Sequence, residues 1–141
     1  MSPRVEVGGA DASLDAVLSA GLDATNGAAT VDIAASRELT VQCRGGNGQV
    51  LAGVSGWTWA EAAGIGMVWV DPAERGAGLG SRLMDAFEQE ARARGCLRVF
   101  VTSFTFQAPA LYERRGYREF ARWNGIPARG MDDVHLVLEW H

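Results

Sequence analysis

The stretch from Val70 to Arg82 carries the most distinctive chemical pattern in the chain. It leaves an apolar segment, passes through Asp71-Pro72-Ala73-Glu74-Arg75-Gly76-Ala77-Gly78-Leu79-Gly80, and enters a helical pattern. A strand that turns through glycines into a helix start is, physically, an anion site. The first amides of a helix have no intrahelical acceptor, and the helix dipole adds positive potential there. Gly76, Gly78 and Gly80 have no side chain to hold a phosphate off the backbone, and Arg75 and Arg82 can add charge. Two familiar phosphate templates fail. The dinucleotide pattern G-x-G-x-x-G ends on Ser81 when counted from Gly76 and on Leu83 when counted from Gly78. The P-loop needs a lysine, and all thirteen basic residues are arginine. The plainer reading is that the glycines only shape a tight turn.

The missing lysine also excludes a Schiff-base site and a lysine general base. Two cysteines, Cys43 and Cys96, and two histidines, His135 and His141, lie too far apart in the chain to suggest a metal site or a disulfide framework. Cys96 reads as a small buried hydrophobe rather than a nucleophile served by His135. Seventeen acidic residues give a net charge of −4, which argues against nucleic acid as a partner. Nothing at the N-terminus looks like a signal peptide, and no apolar run approaches the roughly 20 residues that cross a bilayer. A cytoplasmic protein without membrane association is expected. With 141 residues, 48% of them apolar, one domain over 1–141 is the natural size.

The elements that must position this turn can be read from periodicity. Arg4–Val7 suggests a short strand, and Asp11–Asn26 a helix with Leu14, Val17, Leu18 and Leu22 on one face. Leu39–Cys43 and Gln49–Trp59 flank a Gly-Asn-Gly turn as a hairpin. Glu61–Gly64 reads as a turn and Ile65–Val70 as a central strand. After the glycine turn, Leu79, Leu83, Phe87 and Ala91 mark one helix face, and Glu88–Arg92 and Glu90–Arg94 can pair outside it. Strand Leu97–Phe104, a short helix Gln107–Arg115, and strands Tyr117–Trp123 and Val134–Trp140 complete a mixed α/β order without repeats.

Two motifs in this order resemble the GNAT superfamily of N-acetyltransferases. Arg75-Gly76-Ala77-Gly78-Leu79-Gly80 matches its R/Q-x-x-G-x-G/A signature, preceded by Trp69-Val70-Asp71-Pro72. Downstream, Phe106-Gln107-Ala108 and Tyr112-Glu113-Arg114-Arg115-Gly116-Tyr117 resemble its second motif. The resemblance spans Ile65 to Phe120. It implies a GNAT-like α/β fold, with a central, mostly antiparallel mixed sheet splayed at the cofactor cleft and flanked by helices. It implies acetyl-CoA as co-substrate, with Arg75, Gly76, Ala77, Gly78, Leu79, Gly80 and Ser81 on the pyrophosphate. Met67 to Val70, including Val68 and Trp69, would pair with the pantetheine arm, and the Val70 N–H would polarise the acetyl carbonyl. Tyr112, on its own a core aromatic, becomes the general acid for the departing thiolate. Gln107 departs from the asparagine common in the family and is retained as a cofactor contact.

An amine acceptor needs a proton acceptor, for which Glu61, Glu119 and His135 are candidates beside a water chain or a backbone carbonyl. Trp57 and Trp59 could wall an acceptor pocket, and Asp132 could attract a cationic amine. Gly64 and Gly66 would leave room for the acyl group. The expected activity is transfer of acetyl to a primary amine of a small molecule, by direct attack in a ternary complex. The rival readings are a protein or peptide N-terminal acetyltransferase and a non-catalytic acyl-CoA sensor. A homodimer through the late strands is also expected.

Overall fold

A computed structural model describes residues 2–140 and divides the chain into two compact units, residues 1–35 and 36–141. The first unit holds helix α1 (Ala12–Ala29). Asp11 caps it, its Oδ1 accepting the Leu14 N–H at 2.9 Å. Asn26-Gly27 does not stop this helix as expected, because Gly27 keeps helical geometry and Thr30 closes the last turn onto the Asn26 carbonyl at 2.8 Å. Arg4–Val7 is not a strand; these residues are exposed and have no ladder partner.

The second unit is built on six strands: β1 (Arg37–Arg44), β2 (Val50–Trp59), β3 (Ala62–Val70), β4 (Arg98–Phe104), β5 (Arg118–Asn124) and β6 (Asp132–Glu139). Their order is β1-β2-β3-β4-β6-β5, antiparallel except for the β3–β4 pair. Helix α2 (Leu79–Ala93) makes the crossover between those two parallel strands, and α3 (Pro109–Arg114) joins β4 to β5. The core lies between α2 and one sheet face. Leu83, Met84, Phe87 and Ala91 pack there with Leu39, Val54, Ile65, Val99, Val101 and Leu136. The helix face read from periodicity is therefore the buried one, apart from the half-buried Leu79.

One irregularity positions the site. Ser55 pairs with Met67 and Gly56 with Ile65, so Gly66 is an extra residue on β3. β3 pairs with β4 only from Ala62↔Arg98 to Ile65↔Val101, ending at this bulge. β4 stays paired to β6 as far as Phe104↔Asp133. Beyond Gly66 the two parallel strands part, and the sheet is splayed. Below it the seam is filled: the Trp57 indole lies over Gly64, where a Cβ would stand 2.5 Å from the ring, and meets Phe100 edge to face at 5.5 Å. The space expected at Gly64 for an acyl group is thus occupied by Trp57.

Candidate active site

The splay is a cavity of about 610 Å³ whose lining includes Gly66–Val70 on one wall, Val101–Ser103 on the other, and Arg75, Phe106, Gln107, Leu111 and Tyr112 at its end. The direction of its backbone groups follows from register. Asp71 N–H donates to Leu51 O at 2.8 Å, which makes Val70↔Ala52 a non-hydrogen-bonded antiparallel pair. Two residues back, Val68↔Val54 is another. The N–H and C=O groups of Val68 and Val70 therefore turn away from β2, toward the strand that has left. Those amides need a partner, and the cleft is where it must come from.

The turn after β3 is held by short-range contacts. Asp71 Oδ1 accepts the Ala73 N–H at 2.9 Å, and Arg75 Nε donates to Val70 O at 2.9 Å. Gly76 and Gly78 have φ of +87° and +81°, a region that only glycine enters without strain. Gly78 caps α2 without any side-chain hydrogen bond. The first intrahelical bond is Arg82 N–H to Gly78 O, so the Leu79, Gly80 and Ser81 amides lack intrahelical acceptors. Gly80 abuts the cleft wall, its Cβ position 3.8 Å from Val70 and Leu111 side-chain atoms.

Tyr112 sits on α3 with its ring buried against Tyr117, centroids 5.6 Å apart. The two hydroxyls differ. That of Tyr117 donates to Glu88 Oε2 at 3.0 Å, whereas no described residue bonds to that of Tyr112, a residue that lines the cavity. Burial raises the Tyr112 phenol above its ordinary pKa, so it keeps its proton. Beneath α3, Arg115 donates to Glu88 at 2.8 and 3.2 Å, to Asp85 at 2.6 Å and to Ser81 O at 3.3 Å. This cluster ties α3 to the start of α2. The sequence reading missed Arg115 because it paired Glu88 with Arg92; Arg92 instead lies over the Trp140 ring at 5.2 Å. The expected Glu90–Arg94 pair forms at 3.1 Å.

Several sequence candidates are not brought to this cleft. Glu61 lies in the turn before β3, at the opposite end of the strand from Val70. Trp57 and Trp59 lie toward that same end; Trp69 is the tryptophan in the cleft wall. Asp132 is a structural clamp, accepting from Arg122 at 2.9 Å and from the Gly125 N–H at 3.3 Å. Glu119 is paired with Arg122, whose hydrogen bonds lower its pKa. His135 bonds to Asp133 at 3.0 Å and meets Phe120 edge to face. Gln107 does line the cleft, where its Oε1 accepts the Phe104 N–H at 2.8 Å and closes the end of β4. Cys96 is buried, and that burial raises its thiol pKa. Among the described residues no group of three or more His, Cys, Asp or Glu could hold a metal, and no helix is long and apolar enough to cross a membrane.

Comparison with known proteins fits this geometry. The acetyltransferase (GNAT) family model matches residues 26–117. The chain belongs to the GNAT family. This acetyltransferase is 42% identical over 99 residues to the blasticidin-S acetyltransferase of Streptomyces morookaense, covering 67% of this chain and 70% of that one. It is 31% identical over 81 residues to an acetyltransferase of Agrobacterium fabrum (strain C58 / ATCC 33970), 57% of this chain and 59% of that one. A crystal structure from Agrobacterium tumefaciens, assigned as an acetyltransferase, superposes with a TM-score of 0.89 at 25% identity, over 99% of this chain and 100% of the other. Its co-substrate as a GNAT enzyme is acetyl-CoA. The residues present fit that molecule: unpaired strand amides, uncapped helix amides, and Arg75 between them.

Proposed function

We propose that this GNAT enzyme, working as one domain in the cytoplasm, acetylates a primary amine of a small molecule by direct attack within a ternary complex. The observation that carries this reading is the open upper half of β3, where two strand amides and a protonated tyrosine face one cavity. The Leu79–Ser81 amides, the Gly76–Gly78 turn and Arg75 hold the diphosphate of the co-substrate. Val68 and Val70 offer backbone hydrogen bonds to its arm, with the Val70 N–H donating to the acetyl oxygen as negative charge builds on it. Tyr112 O–H protonates the departing thiolate.

Arg75 and Tyr112 are the only titratable side chains among the described cleft-lining residues, and neither suits a general base. We therefore assign the amine proton to water in the open cleft rather than to Glu61, Glu119 or His135. A small-molecule acceptor is favoured over a peptide by the likeness to a blasticidin-S acetyltransferase. The homodimer reading rests on β5, an edge strand on which Phe120 and Trp123 are exposed, and sedimentation at rising concentration tests it.

The deciding experiment is thiol release from acetyl-CoA over a panel of small amines that includes blasticidin S, beside calorimetry with coenzyme A. Turnover of at least one amine, lost in Tyr112→Phe while coenzyme A still binds, supports the assignment. Tight coenzyme binding with no turnover would favour the sensor reading, and no binding at all overturns the cleft assignment.

A further inference from the structure

A second hollow of about 350 Å³ lies on the face of β1–β3 and shares Met67 and Trp69 with the cleft. Its floor is two straight cross-strand rows. One is Thr40–Ser55–Met67 and the other is Gln42–Gly53–Trp69. In the second row Gly53 has no side chain, so a slot opens between the Trp69 indole and the Gln42 amide. Their strands stand two spacings apart, about 9.6 Å. Trp69 is 49% exposed and Met67 70%, although both lie on an inner strand of the sheet. Large apolar side chains left open beside a cleft are the usual walls of a small-molecule site.

The lining decides what would fit. It contains no Asp, Glu or Arg; its polar groups are Thr40, Gln42 and Ser55, whose side chains bond to no other described residue. The one charged side chain in the adjoining cleft is the cation Arg75. A ligand bearing several ammonium groups would find no counter-charge here and would lose hydration for nothing. A flat neutral ring could lie over Gly53 against the indole, with hydroxyl and amide groups at its edges. Its single amine, on a short tether, would then reach over Met67 and Trp69 into the cleft.

Building on the acetyltransferase reading above, we infer that this trough is the acceptor subsite and selects an amine tethered to a planar, uncharged ring over a polycation. The test uses the whole protein, with tryptamine as the planar-ring monoamine and spermidine and kanamycin as polycations. kcat/KM for tryptamine is expected to exceed that for either polycation by about tenfold or more. Ser55→Leu, which fills the trough from the middle strand, is expected to raise the tryptamine KM by about tenfold, and coenzyme A affinity by calorimetry should stay within about twofold. Gln42→Ala, on an exposed strand face, is a milder variant expected to raise the same KM by about threefold. Polycations used as well as tryptamine, or a tryptamine KM unmoved in both variants, overturn the proposal. Silence toward every amine with coenzyme A still bound also overturns it and leaves the coenzyme cleft standing. Loss of coenzyme A binding in the wild-type chain would instead overturn the cleft assignment.

Discussion

The two halves of β3 are built from similar residues and have opposite fates. From Ala62 to Ile65 the strand is paired on both sides and sealed by Trp57 over Gly64. From Met67 to Val70 it is paired on one side only, and the other lines the cleft. One extra residue separates them. The lesson is that the site is made by stopping a ladder rather than by adding a loop. Strand amides, which a folded chain normally satisfies internally, are left for a ligand.

That contrast can be broken most severely at Val70. Val70→Pro removes an N–H that takes no part in the β2 ladder, so the chain should still fold. kcat should nevertheless fall by about 10²–10³, the usual loss when one oxyanion donor goes. Trp69→Pro, one residue away, deletes a donor facing β2 together with the indole wall of the trough, so it should lower the melting temperature and raise the acceptor KM.

Tyr112→Phe should cost about a hundredfold in kcat with coenzyme A affinity retained. Burial raises the phenol pKa, so the proton-bearing form persists upward in pH. The alkaline fall in kcat should therefore begin above the ordinary tyrosine value of about 10, and should vanish in the variant. Its neighbour makes the comparison sharper, because Tyr117→Phe removes the bond to Glu88 and should act on stability, not on the pH profile.

In the sealed half the effects should be structural. Gly64→Ala pushes a methyl into the Trp57 ring and should destabilise by about 1–3 kcal/mol in a denaturant titration, with coenzyme A binding unchanged. Glu61→Gln, beyond that half, should leave kcat within about twofold across pH, since surface substitutions far from a site rarely matter. A bell-shaped profile that loses its acid limb in Glu61→Gln would overturn the view that water takes the amine proton.

The legible parts of this chain were those written in local chemistry. Glycines at 76, 78 and 80 between an apolar run and a helical stripe marked the turn, and Leu83, Phe87 and Ala91 marked the buried face. The bulge at Gly66 was not legible, since a glycine in a strand looks alike whether it pairs or slips. Trp69 was legible at the cleft, whereas Trp57 and Trp59 were not separable from it as acceptor walls, because alternation along β2 shows a face and not which end of the sheet opens. Asp132 looked free because Arg122, its partner, lies on the preceding strand. Glu119 looked free because residues three apart fall on opposite faces of a regular strand, and the irregularity between Glu119 and Ala121 brings it to Arg122. Arg115 hid for the same reason, its acceptors Asp85 and Glu88 lying a whole strand and helix earlier.

The bond from Arg75 Nε to the Val70 carbonyl fastens the glycine turn to the strand residue proposed to aim at the acyl end. Grip and aim thus share a single fastening. On the proposed roles, an enzyme so wired cannot loosen its hold on the nucleotide end of its donor without also blurring its aim at the thioester. Arg75→Ala would be expected to lower affinity and turnover together, where an independent anchor would touch only the first.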